Sequence, residues 1–406
     1  MRSTGYVCVF LCALCASCMN TRLDGAAASK TPGAPERSDQ MNERRREEVI
    51  HVKTVLSKAE LSSWKVDETR PIDQKALRSV FFIDEMHGWV GGTGTLYRTV
   101  DGGKTWLGVD IGVSKAAFVT KFLFTNLAEG WAVAQEESSD PLTYHDNHFW
   151  LLRTGDGGRT WTTQLDSEDS VVNQIRFANE REGWLVGIKY TGLKPLRGHD
   201  FIFHTVDLGK HWLDVSEPLN RMLNDMPIKV EFTDIMPEGP QTASVLLPTG
   251  SVFKTDDAGL SWRQQNGIID DFTYVCSCQI GVTDNQRVWV GGWKDDRKSV
   301  LGMVALKEGD SWKEYLLAGV SFSDILFLSR DRILTCGSTT PNQQGYTEKR
   351  QAVVSYSSDG GATWSFVYRN PKASKISALA VVDRDHIWAV GDGGLILRLT
   401  ATTVTH

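Results

Sequence analysis

The chain has little cysteine outside its first 18 residues. Four of its seven cysteines lie between Cys8 and Cys18, and only Cys276, Cys278 and Cys336 lie further on. Three cysteines without metal-ligand spacing exclude a disulfide-stabilised scaffold and a structural zinc site. We expect buried free thiols, with one bridge from Cys276 or Cys278 to Cys336 as the alternative.

The sequence also lacks an excess of one charge. It has 44 Lys and Arg against 50 Asp and Glu, a formal net charge of -6, so no overall attraction to nucleic acid or anionic lipid is expected. Hydrophobic residues make up 41% and charged residues 23%, which is typical of a globular chain rather than a disordered one. Proline is scarce, with 12 residues, whereas 37 glycines and 14 tryptophans are an unusual combination. The repeats described below account for most of that combination.

No apolar run is long enough to predict a permanent membrane-spanning helix, but a short one lies at the N-terminus. Gly5–Leu14 follows Arg2, which predicts an export signal over residues 1–17. The next letters, LCASC, resemble a bacterial lipobox with Cys18 as the lipid-attachment residue. Cys15 stands where leucine is typical, so ordinary signal-peptidase cleavage is the alternative. The sequence thus predicts an exported periplasmic or cell-surface lipoprotein anchored in a membrane.

The signal is followed by a polar segment. Residues 18–59 are predicted to be a flexible tether, because Asn20–Arg45 consists of small, polar and charged residues. Asn42–Lys58 has a pattern that also allows a short helix, but its acidic residues neutralise Arg44–Arg46. A solvated spacer is the preferred interpretation.

One short motif recurs along the rest of the chain. The pattern Ser/Thr-x-Asp-x-Gly-x-x-Trp, here called the Asp box, occurs at Thr99–Trp106, Thr154–Trp161, Thr205–Trp212, Thr255–Trp262 and Ser357–Trp364. The tryptophans are separated by 55, 51, 50 and 102 residues, and a decayed sixth copy, Glu308–Trp312, divides the last interval. A period near 50 residues is typical of β-propeller blades.

Each box belongs to a predicted four-stranded blade. In the first copy the strands are Phe81–Asp84, Gly88–Gly92, Leu96–Thr99 and Thr105–Val109. The last copy begins at Ile376 and stops one strand short, and Leu61–Val66 is predicted to supply that strand. The prediction is an all-β, seven-bladed propeller over residues 60–400, closed by this N-terminal strand and followed by a tail, residues 401–406.

The boxes are predicted to be structural. Asp101 can accept hydrogen bonds from backbone N–H groups and the Thr99 hydroxyl, and Trp106 can pack between neighbouring sheets. Repetition around a ring favours this role over calcium binding or catalysis. The predicted structural residues are Asp101, Trp106, Asp156, Trp161, Asp207, Trp212, Asp257, Trp262, Asp359 and Trp364.

The longer pattern FFIDEMHGWVGGTGTLYRTVDGGKTW, residues 81–106, resembles the photosystem II stability/assembly factor family of seven-bladed Asp-box (BNR) propellers. The resemblance covers nearly all of the mature chain. It implies a non-catalytic protein that binds a partner protein during photosystem II assembly, without a cofactor. Long insertions depart from the family pattern, so the partner-binding surface does not follow from the resemblance.

The alternative class is a glycoside hydrolase, either sialidase-like or another Asp-box glycosidase, or a glycan-binding propeller. The early Arg-Ile-Pro signature of sialidases is absent, since Arg70–Ile72 has the wrong order, and sialidases usually have six blades. Glycoside hydrolysis needs two carboxylates at a set separation, and no such pair stands out in the sequence. The prediction is therefore a protein without enzymatic activity.

The partner surface is predicted from insertions between the second and third strands of blades. These insertions are Gln135–Phe149, Lys189–Asp200, Trp293–Ser299 and Ser338–Arg350, and they should project from the face opposite the boxes. The predicted partner-binding residues are Tyr144, Trp150, Lys189, Tyr190, Lys194, Arg197, Trp293, Arg297, Tyr346 and Arg350. Solvated loops of tolerant length are the alternative. We expect a monomer that binds a membrane or periplasmic protein and no nucleic acid.

Two smaller groups of residues complete the prediction. His145 and His148, with Asp140 or Asp146, suggest a metal site, but nothing fixes their geometry and no metal is predicted. Arg78, Lys121 and Arg176 fall in the innermost strands of the first three blades. Their side chains either point into the central channel or pair within the sheets.

Overall fold

The computed structural model describes residues 49–53, 55–56, 64–70, 76–138, 147–193, 196–223, 232–248, 251–265, 275–282, 288–295, 300–308, 311–329, 331–340, 349–383 and 386–401. Cys18 and the predicted export signal lie outside these residues. Within them, no helix has the length and hydrophobicity needed to cross a bilayer.

Three strands precede the first blade, namely β1 (Val49–Lys53), β2 (Val55–Leu56) and β3 (Trp64–Thr69). Blade 1 consists of β4 (Leu77–Phe82), β5 (Gly88–Gly92), β6 (Thr95–Thr99) and β7 (Leu107–Val109). Blade 2 consists of β8 (Phe118–Phe124), β9 (Gly130–Glu136), β10 (His148–Thr154) and β11 (Thr162–Glu168). Blade 3 consists of β12 (Ser170–Phe177), β13 (Gly183–Leu193), β14 (Leu196–Thr205) and β15 (Leu213–Asp214), and is followed by the helix α1 (Glu217–Leu223).

Blade 4 consists of β16 (Asp234–Pro237), β17 (Ala243–Leu246), β18 (Val252–Thr255) and β19 (Arg263–Gln265). Blade 5 consists of β20 (Val275–Val282), β21 (Val288–Asp295), β22 (Val300–Glu308) and β23 (Ser311–Ala318). Blade 6 consists of β24 (Val320–Phe327), β25 (Ile333–Thr339), β26 (Ala352–Ser357) and β27 (Thr363–Asn370). Blade 7 consists of β28 (Ile376–Asp383), β29 (His386–Gly391), β30 (Leu395–Ala401) and β3.

The seven sheets confirm the predicted propeller. Consecutive strands of each blade pair antiparallel, from the innermost strand to the outermost. The N-terminal strand β3 pairs antiparallel with β30, with Val66 opposite Leu399, so strands from the two ends of the domain complete blade 7 together. Such closure removes an open edge from the ring.

Val49–Lys53 and Val55–Leu56 form strands, unlike the predicted spacer. β1 pairs in parallel with β23, the outermost strand of blade 5, and β2 pairs in parallel with β27 of blade 6. The outer strands of these blades have unpaired backbone groups that an additional strand can satisfy. The N-terminal segment therefore runs along blades 5 and 6 before it completes blade 7.

Aromatic side chains hold neighbouring blades together. Trp89 of blade 1 stacks on Phe124 of blade 2 with ring centroids 3.6 Å apart, and Phe124 meets the box residue Trp161 edge-on at 6.0 Å. The same arrangement recurs as Trp388, Phe82 and Trp106 between blades 7 and 1, and as Trp131, Phe177 and Trp212 between blades 2 and 3. A box tryptophan thus packs against the phenylalanine of its own blade, which in turn contacts the tryptophan of the preceding blade.

The second strand of blades 1, 2 and 3 begins with a Gly-Trp pair, at Gly88, Gly130 and Gly183, and the packing explains the glycine. A Cβ atom on Gly130 would lie 2.4 Å from the Phe124 ring, and one on Gly88 would lie 2.5 Å from the Phe82 ring. The absence of a side chain leaves room for the phenylalanine that stacks on the preceding blade. Gly-Trp therefore recurs because each of the two residues serves the interface between blades.

Polar side chains on the inner strands also connect the blades. Ser79 donates to the carbonyl of Val119 at 2.7 Å, from blade 1 to blade 2. Asp324 of blade 6 accepts from the Gln279 side chain of blade 5 at 2.8 Å and from the backbone N–H of Leu379 of blade 7 at 2.7 Å. These bonds satisfy buried polar groups while they fix the spacing of the inner strands.

The insertion of blade 3 is a hairpin rather than the predicted loop. β13 and β14 extend the sheet through most of Lys189–Asp200, with Lys189 opposite His199. The backbone N–H of Tyr190 donates to the carbonyl of Asp169 at 2.7 Å, which ties the hairpin to the start of the blade. Cross-strand pairing is a long-range property that the loop-like composition does not reveal.

Where the structure describes them, the decayed sixth box and the predicted buried thiols have the expected burial. Trp312 of the decayed box is buried, with 2% of its surface exposed. Cys336 is a buried free thiol, and burial raises its pKa. Cys276 and Cys278 lie on β20, and their side chains are outside the described part of the structure.

Replacing the Gly-Trp glycine should destabilise the propeller. We expect Gly130→Ala to lower the free energy of unfolding by about 2 kcal/mol, because the new methyl group overlaps the Phe124 ring. Gly108→Ala is the matched control, since its Cβ would lie 3.5 Å from the nearest atom, on Tyr97. Chemical denaturation measures both variants. Equal stability of the two variants would contradict the packing argument.

Candidate functional site

The Asp boxes form the same hydrogen-bonded turn in all five complete copies. In the first, the Thr99 hydroxyl donates to Asp101 at 2.8 Å, while the Thr105 backbone N–H and hydroxyl donate to the same carboxylate at 2.9 and 2.5 Å. The hydroxyls of Thr154, Thr205, Thr255 and Ser357 make the first of these bonds at 2.8 to 3.0 Å. The box carboxylates therefore serve their own turns, as a structural role requires.

The same bonds hold the box carboxylates in their charged form. Hydrogen bonds from Thr105 lower the pKa of Asp101 to about 2, those from Thr160 lower that of Asp156 to about 2, and those from His211 do the same for Asp207. For Asp257 and Asp359, burial raises the pKa, but hydrogen bonds from the turn outweigh it, and the pKa is lowered overall.

The box tryptophans pack as predicted from the pattern. Trp364 and Trp262 are buried, with 2% and 7% of their surfaces exposed. The indole N–H of Trp106 donates to the carbonyl of Gly103 at 3.1 Å, and that of Trp364 donates to Gly361 at 2.9 Å. Each of these rings is thereby fixed to its own turn.

Neutralising a box carboxylate should destabilise the protein in a pH-dependent way. We expect Asp101→Asn to be less stable than the wild type at neutral pH, because the charged acceptor of the Thr105 bonds is lost. The Asp101 carboxylate stabilises the fold above its ordinary pKa of 3.8, and this contribution disappears as pH falls towards 2. The difference between the two proteins should therefore shrink from about pH 4 to about pH 2 in denaturation experiments.

The control for this experiment is Asp256→Asn, in the box turn of blade 4. Asp256 forms an exposed ion pair with Arg263, and such pairs contribute little to stability. A constant difference between wild type and Asp101→Asn across the acid range would contradict the assigned role of Asp101.

The predicted partner-binding residues do not form one exposed set. Lys189 and Arg350 are exposed, but Trp150 and Tyr190 are buried, with 9% and 3% of their surfaces exposed. Their assignment as partner contacts was therefore wrong. Tyr144, Lys194, Arg297 and Tyr346 lie outside the described residues, and Arg197 and Trp293 lie on strands where the structure does not describe side chains.

Burial of the two aromatic residues has a local cause. Trp150 lies within β10, where its ring stacks on His148 with centroids 3.9 Å apart and packs into the core between blades 1 and 2. Tyr190 packs with Ile188 at the base of the blade-3 hairpin. The run Phe149–Leu152 is apolar throughout and already indicates a buried strand.

Charged residues on the inner strands surround the central channel. Arg176 forms a two-point ion pair with the buried Asp234, with Nε–Oδ1 and Nη2–Oδ2 distances of 3.2 and 2.8 Å. Asp234 also accepts the backbone N–H of Ile280 at 2.9 Å. Arg176 is paired, as one of the two alternatives proposed, but its partner lies in the sheet of the next blade rather than in its own.

Three other cations form no ion pair with a carboxylate of the described residues. Within the described part of the chain, no carboxylate oxygen lies within 4.0 Å of the charged nitrogens of Arg78, Lys121 or Lys375. All three side chains are partly buried, and the Arg78 guanidinium lies 5.0 Å from the centre of the Phe118 ring. We name these residues the channel cation cluster.

Electrostatic interactions connect the three cations with two nearby carboxylates. Burial raises the pKa of Glu137, and the charges of Arg78 and Lys375 oppose that effect. Burial likewise raises the pKa of Asp324, opposed by hydrogen bonds from Leu379 and Gln279 and by the charge of Lys121. Arg78 and Lys375 thus act on the carboxylate of Glu137, while Lys121 acts on that of Asp324.

The position of Lys375 was not predicted. It lies in the connection between blades 6 and 7, directly before β28. Because connections between blades and the starts of inner strands share the face opposite the boxes, Lys375 joins Arg78 and Glu137 there. A cluster of this kind can bind a carboxylate or another anionic group.

Two groups of side chains combine histidine with carboxylates, the residue types that bind metal ions. His148 bonds to Asp166 of its own blade, while His145, Asp140 and Asp146 lie outside the described residues. On the box face, Nδ1 of His386 lies 2.9 Å from Asp383 and Nε2 lies 3.3 Å from Glu85, so these three side chains could hold a metal ion. In the structure the imidazole connects blade 7 to blade 1.

Fold and site together define a class of protein, the seven-bladed Asp-box propeller with a charged channel. The family described as photosynthesis system II assembly factor YCF48 matches residues 145–400, and the chain belongs to this family. The family assignment favours a binding role over catalysis.

Individual relatives agree with this assignment. A photosystem II assembly protein Ycf48 from Synechococcus sp. (strain JA-2-3B'a(2-13)) is 23% identical over 289 residues, which cover 64% of this chain and 78% of the relative. Another, from Synechococcus sp. (strain JA-3-3Ab), is 25% identical over 299 residues, which cover 72% and 75%.

Solved structures show the shared fold. YCF48 bound to D1 peptide aligns with a TM-score of 0.55 and 18% identity over 87% of this chain and 99% of that chain. YCF48 from Cyanidioschyzon merolae aligns with a TM-score of 0.57 and 16% identity, over 84% and 99%. A polysaccharide lyase of family PL25, an ulvan lyase, aligns with a TM-score of 0.53 and 10% identity, over 81% and 95%.

Proposed function

We propose that this protein is an exported, non-catalytic assembly factor that binds an anionic segment of a membrane-associated partner protein at the face opposite the Asp boxes. The observation that carries the proposal is the channel cation cluster, because the partly buried Arg78, Lys121 and Lys375 form no ion pair within 4.0 Å with a carboxylate of the described residues. Membership of a family of assembly factors supports the binding role.

The surroundings of the cluster favour a charged ligand. The nearby carboxylates of Asp234, which is buried, and Asp324, which is partly buried, accept hydrogen bonds from neighbouring blades. Partial burial of the three cations weakens the screening of their charges by water. An anionic side chain or a C-terminal carboxylate entering the channel would complete the missing ion pairs.

Lys189 and Arg350 extend the positive surface on the same face. Both are exposed, Lys189 on the blade-3 hairpin and Arg350 directly before β26 of blade 6. They can contact a partner that is wider than the channel, and exposed charges of this kind chiefly raise the rate of association.

A glycosidase remains the weaker candidate. A hydrolase would need a carboxylic acid and a carboxylate that both reach the substrate. Asp234 is held by Arg176 and two backbone N–H groups, and Asp324 by Gln279 and two backbone N–H groups. These two carboxylates therefore support the ring rather than a reaction.

Export and membrane attachment complete the proposal. The apolar run Gly5–Leu14 and the lipobox-like LCASC support cleavage before Cys18 and lipidation of that residue. Attachment through Cys18 would keep the propeller near membrane-bound partners and raise its local concentration there.

Removal of cluster charges should abolish partner binding. We expect the double variant Arg78→Gln, Lys375→Gln to retain at least about tenfold less partner from detergent-solubilised membranes of the source cells, because two charge-assisted contacts are lost. Quantitative pull-down with mass spectrometry measures retention.

The matched control is Lys104→Gln, Arg159→Gln, which removes two exposed charges from the box turns on the opposite face. An equal loss of partner in the two double variants, or undiminished binding by the cluster variant, would overturn the proposal. Thermal denaturation of both variants establishes that the fold is retained.

A further inference from the structure

Exposed apolar side chains are concentrated at one end of the propeller. Among the described residues, nine large apolar side chains have 38% to 72% of their surfaces exposed, and eight of them lie at the end of the strands that carries the Asp boxes. These eight are Met86, Val100, Leu107, Leu127, Val206, Leu213, Leu260 and Val381. Met222, on α1, is at the opposite end.

Hydrogen bonds establish that two sets of turns share this end. The backbone N–H of Gly102, in the box of blade 1, donates to the carbonyl of Met86 at 3.0 Å, and that of Gly157, in the box of blade 2, donates to Ala128 at 2.9 Å. Each box thus lies directly beside the turn between the first and second strands. Seven of the eight apolar residues belong to blades 1 to 4, and we call this region the apolar box face.

The Asp-box turn itself does not require these apolar residues. Val100 and Val206 occupy the position before the box aspartate, where other boxes have Gly155, Asp256 and Ser358. Leu107 and Leu213 follow the box tryptophan, where other boxes have Thr162, Arg263 and Ser365. Since polar residues form the same turn, the apolar side chains of blades 1 and 3 are not explained by folding.

Cations are interspersed with the apolar side chains. Lys104, Arg159 and Lys210 are exposed and occupy the same position in the boxes of blades 1, 2 and 3. The box aspartates beside them are engaged by their own turns, and Glu129 pairs with Arg153 at 2.7 Å. Apolar side chains mixed with Lys and Arg are typical of surfaces that lie at the headgroup level of a bilayer.

The N-terminal segment enters from the same end. β1 begins at Val49, which is opposite Trp312, the residue at the box position of blade 5. The 48 preceding residues, which include the lipobox-like sequence at Cys18, therefore join the propeller at its box end.

We propose that the apolar box face rests on the surface of a lipid bilayer, with Val100, Leu107, Val206 and Leu213 inserted among the headgroups. Glu85, Glu180 and Glu182 offset the nearby cations, so apolar contact rather than net charge drives the attachment. This orientation directs the channel cation cluster away from the membrane. The inference goes beyond partner binding and does not depend on it.

Photolabelling of the full chain in vesicles tests this orientation. The chain is reconstituted in phosphatidylcholine vesicles containing a diazirine-bearing phosphatidylcholine, irradiated, digested and mapped by mass spectrometry. We expect lipid adducts on peptides that span Val100–Leu107 and Val206–Leu213, and at least about tenfold fewer on the peptide that contains Met222, because photolabelling requires contact with lipid.

Two variants make the test specific. The quadruple variant Val100→Ser, Leu107→Ser, Val206→Ser, Leu213→Ser introduces the residues that blade 6 has at these positions, Ser358 and Ser365, so the box turns are preserved. It should lose the adducts on blades 1 and 3 while the N-terminal peptide remains labelled. The control Met222→Ser changes an exposed apolar residue at the other end and should keep the lipid adducts on blades 1 and 3.

Several results would overturn the inference. They are the absence of vesicle binding, labelling of the box peptides no stronger than that of the Met222 peptide, or undiminished labelling of the quadruple variant. Cross-links between two copies of the chain through the box face would assign that face to self-association instead. The partner pull-down changes residues on the opposite face, so its result does not decide the result of the photolabelling experiment.

Discussion

The structure depends on the stacking of a tryptophan from one blade against a phenylalanine of the next. Trp89 on Phe124 and Trp388 on Phe82 both have ring centroids 3.6 Å apart, and the box tryptophan closes the same cluster edge-on. A four-stranded blade cannot bury its two faces alone, so these contacts between blades supply the core. The spacing of Gly-Trp and Asp box in the sequence follows from this one requirement.

This requirement separates the two ends of the molecule. At the box end, backbone and side chains are fixed by the turn bonds and by the aromatic clusters beneath them, so variation is confined to the few positions that face outward. At the opposite end, the connections between blades and between second and third strands vary in length and secondary structure, as the blade-3 hairpin shows. The rigid end thus suits a uniform surface, and the variable end suits recognition of a particular protein.

The fold was predictable because its determinants are local and repeated, whereas much of the site depends on contacts between distant segments. The seven blades and the pairing of β3 with β30 follow from spacing and from a count of strands. By contrast, the burial of Trp150 depends on packing against blade 1, and the strands at residues 49–53 and 55–56 depend on outer strands some 260 to 310 residues later in the chain. Lys375 precedes its blade, so no repeat position marks it.

The distribution of charge is consistent with the proposed binding of an anionic ligand by a chain with a net charge of -6. Asp234 is buried and Asp324 partly buried, and their carboxylates are held by Arg176, the Gln279 amide and backbone N–H groups that join the blades. These two carboxylates therefore stabilise the ring, while Arg78 and Lys375 act on Glu137 and Lys121 acts on Asp324 without an ion pair within 4.0 Å among the described residues. Local potential in a partly desolvated channel, rather than net charge, governs such binding.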